Sequence, residues 1–216
     1  MAEADFSPEP ILDLWFPDSR HWETPETHNA FWDERMQGGM DAVICERFAD
    51  LTEAAAKGAL DHWADTESGR LALLIALDQF PRSLWRDTPG AFAQDIKACR
   101  LAVDTIRGGG LDMYAPWEAA FFVIAIGHCE GPDHLERFDL IDAVTETICV
   151  RLPEQLAGVA HGFRGQNARV RGIIEKFGRH PHRNPILGRL SSPEEAAYIA
   201  TGDFPHVRKV EQITGG

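Results

Sequence analysis

The chain has 216 residues, with 21 Lys+Arg against 34 Asp+Glu for a net charge of −13, and 44% of its residues are hydrophobic. That length can bury a sizeable core in one domain over 1–216, and the composition excludes a disordered chain, a collagen and a small disulfide scaffold. The acidic balance argues against general nucleic-acid binding and against docking on anionic membranes.

Helical punctuation recurs in chain order. Ser7-Pro8-Glu9 opens a short helix through Leu12 and Trp15 that Pro17 ends. Thr24-Pro25-Glu26 starts the next, carrying Phe31, Trp32 and Met36 as far as Gly38-Gly39. Met40, Val43, Ile44, Phe48 and Leu51 then repeat at helical spacing up to Lys57-Gly58. An apolar helix spans 66–79, before Pro81, and Thr88-Pro89 starts a long one closed by Gly108-Gly109-Gly110. Pro116 begins another through Trp117, Phe121, Ile124 and His128, broken at Gly131-Pro132. Two more are expected over 133–151 and 153–178, and Ser192-Pro193-Glu194-Glu195 matches a capping box. No segment alternates apolar and polar residues as a strand would. The expectation is an all-α fold of antiparallel helix hairpins, arranged as a bundle or an α-α superhelix.

Four cysteines (Cys45, Cys99, Cys129, Cys149) stand far apart and read as small core residues in a reducing compartment. The first six residues carry acid where a signal peptide needs base. The longest apolar runs, 71–77 and 119–126, are far shorter than the roughly 20 residues of a membrane span. A soluble, cytoplasmic protein is expected.

Three polar features interrupt this pattern. Leu71, Leu74, Ile75 and Asp78 follow the i, i+3, i+4, i+7 rule, which places a carboxylate on the face its own helix buries. Gln79 and Arg82 follow it directly. Trp117, Phe121, Ile124 and His128 form a second stripe that ends on a histidine, with Glu130 beside it. The third is Phe177-Gly178-Arg179-His180-Pro181-His182-Arg183-Asn184-Pro185, a polar loop stiffened by two prolines. Each has a plain structural reading: a clamp, a satisfied core histidine, a loop that caps helix ends. Each also has a functional one, as ligand-binding or acid/base residues.

Residues 1–69 hold 4 basic and 16 acidic side chains, whereas residues 164–189 hold 7 basic and one acid. That basic stretch either pairs with acidic helices or receives an anion on its guanidinium forks. His180-Pro181-His182 lacks the companion ligands of a zinc site, so no metal and no cofactor is expected. Nucleotide-binding and nucleophile-elbow motifs are absent from the sequence.

Leu77-Asp78-Gln79-Phe80-Pro81-Arg82, His128-Cys129-Glu130 and the 177–184 segment resemble the signature segments of the bacterial domain-of-unknown-function family 924. The opening Ile11-Leu12-Asp13-Leu14-Trp15-Phe16 and the closing Leu187-Gly188-Arg189 and Ser192-Pro193-Glu194-Glu195 are similar to it too. The resemblance implies a tetratricopeptide-like all-α fold and no established activity. The family pattern has an aromatic where His180 stands and a histidine close to Val170; this chain departs from both.

Two functions follow as expectations. The first is a binding module whose polar groove holds a small anionic ligand or a peptide carboxylate. The second is an enzyme, a hydrolase or lyase, using the same floor on a small anionic substrate. The candidate residues are Asp78, Gln79, Arg82, His128, Glu130, Arg179, His182, Arg183 and Asn184. Asp78, His128 and the 179–184 loop are expected to meet, with Arg179 or Arg183 as the cation for Asp78. No nucleic-acid or membrane partner is expected, and a homo-oligomer is left open.

Overall fold

The computed structural model describes residues 6–205. Its helices in chain order are α1 (Glu9–Trp15), α2 (Pro25–Met36), α3 (Asp41–Arg47), α4 (Ala49–Ala56), α5 (Glu67–Asp78) and α6 (Phe80–Leu84). They continue as α7 (Asp95–Arg107), α8 (Pro116–His128), α9 (His134–Val150), α10 (Val159–Phe177) and α11 (Pro193–Ala200). Short 3-10 turns join several of them, and helix accounts for 71% of the described residues, with no strand among them. The fold is all-α.

The boundaries follow the chemistry of the helix ends. Thr24 caps α2, Thr66 caps α5 by accepting from Gly69, and Ser192 and Glu195 close a reciprocal capping box at α11. Gly178 ends α10 at φ 69°, a left-handed position that costs a residue with a Cβ about 1–2 kcal/mol. The single helix expected from Met40 to Lys57 is instead two, broken at Phe48. The helix expected from Thr88 begins only at Asp95, after a 3-10 turn over Pro89–Phe92.

The chain divides into two compact units. The first takes residues up to 19, 41–86 and 90–129, which hold α1 and α3–α8. At its centre is α5, in contact with α1, α4, α6, α7 and α8. Every residue from Leu71 to Asp78 is at most 3% exposed, so this helix is buried on all sides rather than along one stripe. Trp15, fully buried, meets Phe80 and Phe121 edge-on at 5.8 and 5.9 Å.

The second unit takes residues 20–40, 87–89 and 130 onward, with α2, α9, α10 and α11. Here α10 lies on α9, and α2 meets the turn Glu154–Leu156. Trp32 of α2 stands edge-on to Phe163 of α10 at 5.6 Å. The imidazole of His21 stacks on Phe31 at 3.9 Å, and the Arg35 guanidinium lies 3.8 Å from the same ring. Two groups that close must occupy opposite faces. Cys99, Cys129 and Cys149 are buried as expected, but Cys45 is exposed, and all four are free thiols.

Candidate functional site

Pro81 explains the local architecture around Asp78. It has no N–H to continue α5, and the amide of Arg82 turns to the Gln79 carbonyl at 3.1 Å. The Asp78 carbonyl is thereby released, and Nη1 of Arg82 donates to it. The same nitrogen lies 3.3 Å from Oδ1 of Asp78. The spacing Asp78-Gln79-Phe80-Pro81-Arg82 is thus a device that folds a guanidinium back over a helix end.

Asp78 is 1% exposed, and its carboxylate is saturated with donors. Nδ1 of His128 lies 2.9 and 3.1 Å from its two oxygens, and Nε2 of Gln79 donates to Oδ2 at 2.5 Å. His128 is the last residue of α8 and is itself 5% exposed. On the far side of Arg82, Nη2 donates to Oδ1 of Asp95 at 2.8 Å. Asp95 opens α7, is 4% exposed, and has no sequence signal, since an acid in a first helical turn is ordinary.

Burial would raise the Asp78 carboxyl, but the charge of Arg82 and the bond from His128 outweigh it and hold the group below the usual carboxylate range. His128 is pushed down, first by burial and then by Arg82, against the pull of Asp78 and Asp95. An ionised Asp78 can only accept, so Nδ1 carries the proton of a neutral His128 ring. Nε2 is then the basic nitrogen.

Glu130, two residues beyond His128, belongs to the second unit. It accepts the backbone N–H of His180 at 2.7 Å and is held by Nη1 of Arg189 at 2.5 Å. Arg189 also donates to the Asn184 side chain at 2.9 Å and to the His180 carbonyl at 3.1 Å. Arg179 grips both oxygens of Glu195 at 2.7 and 2.9 Å, and this fork draws the Glu195 carboxyl down to about 2. The expectation that Arg179 or Arg183 is the cation for Asp78 is therefore corrected: the cation on Asp78 is Arg82, and Arg179 serves Glu195. Arg183 is buried at 3% exposure and lowers Glu130 through space, while the His182 ring stacks on Phe204 at 5.2 Å.

Of the seven cations in 164–189, five face carboxylates: Arg164 on Glu146, Arg169 on Asp203, Arg171 on Asp139 and Asp142, Arg179 on Glu195, Arg189 on Glu130. Charge pairing thus explains most of the basic stretch. Among the described residues, no group of three His, Cys, Asp or Glu is arranged to hold a metal ion, and no helix is long and apolar enough to cross a membrane.

The family model for bacterial proteins of unknown function designated DUF924 matches residues 11–203. The chain belongs to this family. A solved structure of a protein of unknown function from Agrobacterium tumefaciens is similar to it, with 30% identity and a TM-score of 0.64. The match covers 90% of this chain and 97% of that one. No curated protein matches the chain.

In this DUF924 chain the two most distinctive segments have separable parts. The 77–82 and 128 residues build the Asp78–His128 pair. Arg179, Asn184, Arg189 and Glu195 tie the 178–195 stretch together. Sequence reading missed two features: Asp95, and the buried pair His21 and His28, whose Nδ1 atoms lie 3.3 Å apart.

Proposed function

We propose that the Asp78–His128 pair is an acid/base centre, in which Nε2 of His128 accepts a proton from a small molecule or from a water that attacks one. One observation carries this reading. A fully buried carboxylate spends both oxygens on a single imidazole nitrogen, while Gln79 and Arg82 fix it in place. Such a carboxylate sets the tautomer and the orientation of the ring, and stabilises the imidazolium formed when the ring takes up a proton. Hydrolysis, or proton abstraction from a substrate, is the matching reaction class.

The charge of the centre bears on the substrate. Asp78 and Asp95 against Arg82, with a neutral His128, leave one net negative charge. An anion is repelled by such a cluster, whereas a neutral molecule with an acidic proton or an activated carbonyl is not. The rival reading, capture of a small anion or peptide carboxylate by the basic loop, depends on Arg179, His182, Arg183 and Asn184. Its support is weaker, because Arg179 already neutralises Glu195 and Asn184 is held by Arg189.

The test is a screen of neutral esters, lactones and amides with the wild type and His128→Gln. Glutamine still offers Asp78 a donor but no base. The reading requires turnover that falls by about 10²-fold or more in His128→Gln. Equal turnover in both proteins, or saturable binding of acetate or phosphate abolished by Arg183→Gln with no turnover of any ester, would overturn it.

A further inference from the structure

Asp95 holds the outer arm of the guanidinium whose inner arm serves Asp78. Nη2 of Arg82 is 2.8 Å from Oδ1 of Asp95, and Nη1 reaches both the carbonyl and the carboxylate of Asp78. A guanidinium is rigid and planar, so anchoring one terminal nitrogen fixes where the other lies. Unanchored, Arg82 has an alternative, because its side chain is 20% exposed and water competes for it. The ring of Phe92, 6.0 Å from its Cζ, gives it no directional hold.

We propose that Asp95 is a positioning residue for the acid/base centre: it keeps Arg82 on Asp78, and so keeps the Asp78 carboxylate oriented toward Nδ1 of His128. This rests on the reading of His128 as the base, but its test does not need a substrate. Within the first unit, the charged groups that act on His128 include Asp78 of α5, Arg82 of α6 and Asp95 of α7. Their geometry makes the sign of one measurement decisive.

Suppose Asp95 acts only as a nearby negative charge. Removing it then makes the surroundings of His128 more positive, and its imidazole titrates at lower pH. Suppose instead that Asp95 anchors Arg82. Removing it releases the guanidinium to solvent, Asp78 loses its nearest cation, and His128 titrates at higher pH.

The experiment follows His128 by ¹⁵N NMR against pH in the full-length wild type, Asp95→Ala and Asp95→Asn. The proposal requires Asp95→Ala to raise the His128 midpoint by about half a pH unit or more. Asp95→Asn, which keeps an acceptor for Arg82, must raise it less. An unchanged or lowered midpoint in Asp95→Ala overturns the proposal. Should that variant not fold, the Arg82 guanidinium itself decides the matter. Its rotation must be faster in Asp95→Asn than in the wild type, and an unchanged rate is the contrary result. If His128→Gln keeps full turnover while Asp95→Ala shifts the titration, the base reading falls and the anchoring stands.

Discussion

Asp78 and His28 show how differently two buried polar residues can be satisfied. Asp78 is ionised because a cation and two further side-chain donors surround it, and deleting it leaves His128 and Gln79 without their acceptor and Arg82 with Asp95 as its one remaining carboxylate in this cluster. Asp78→Ala is expected to cost about 3–5 kcal/mol in urea unfolding, and Asp78→Ala with Arg82→Met much less than the sum of the single changes. His28 is satisfied as a neutral ring. Nε1 of Trp32 donates to its Nε2 at 2.9 Å, so its own proton sits on Nδ1 and points to Nδ1 of His21. Neither ring can take a second proton without setting two N–H groups face to face or expelling the indole. His21 and His28 are both drawn from 6.5 down to about 4, chiefly by burial, and for His21 also by His28 and Arg35. A depressed histidine is neutral in the folded chain while the unfolded chain already binds its proton, so stability falls as the pH drops from 6.5 toward 4. Each contributes a slope of about 1.4 kcal/mol per pH unit within that window. Unfolding midpoints measured across it should show the decline, and His21→Phe with His28→Leu should flatten it; an unaltered slope would show that the pair is not held neutral.

At the scale of the element, glycines separate packing from propensity. A Cβ on Gly69 would lie 2.4 Å from the Trp63 carbonyl oxygen and 2.7 Å from the capping hydroxyl of Thr66. Gly69→Ala is expected to lower stability by about 1–3 kcal/mol although alanine is the better helix former. Gly172 lies within α10 with nothing near its would-be Cβ, and Gly172→Ala should raise stability by up to about 1 kcal/mol. Paired calorimetric melts check both signs. The same logic explains what was legible in the chain. Thr24, Thr66, Pro116, Gly178 and Ser192 mark helix ends with side-chain or backbone chemistry of their own, and those ends stand where the residues put them. The break at Phe48 carries no Gly or Pro, so periodicity ran through it. Asp78 and His128 were visible because an apolar stripe made them anomalous. Asp95 was not, since an acid at the start of a helix needs no tertiary partner, and Glu195 was legible as a capping-box residue but not as the partner of Arg179. Which carboxylate each arginine of 164–189 takes is long-range information that spacing does not contain.

For the whole molecule, each compact unit is assembled from three separated stretches of chain. Residues 20–40 are an excursion into the second unit, where Gln155 donates to the Trp22 carbonyl at 3.1 Å and Trp32 meets Phe163. A fragment of residues 130–216 lacks that excursion and should be poorly helical alone, gaining structure when a peptide of residues 20–40 is added. Residues 1–129 keep every segment of the first unit and should retain the Asp78–His128 pair. Circular dichroism of the fragments, separate and mixed, is the check. Full native helicity of 130–216 without the peptide would contradict this account of the second unit.

The Asp78 carboxylate should hold the His128 ring neutral and in one orientation. Long-range ¹H–¹⁵N correlation of its ring at pH 7 reads this directly. The expected result is a proton on Nδ1, a lone pair on Nε2, and loss of that single tautomer in Asp78→Ala. A ring protonated on both nitrogens at pH 7, or carrying its proton on Nε2 alone, would contradict it.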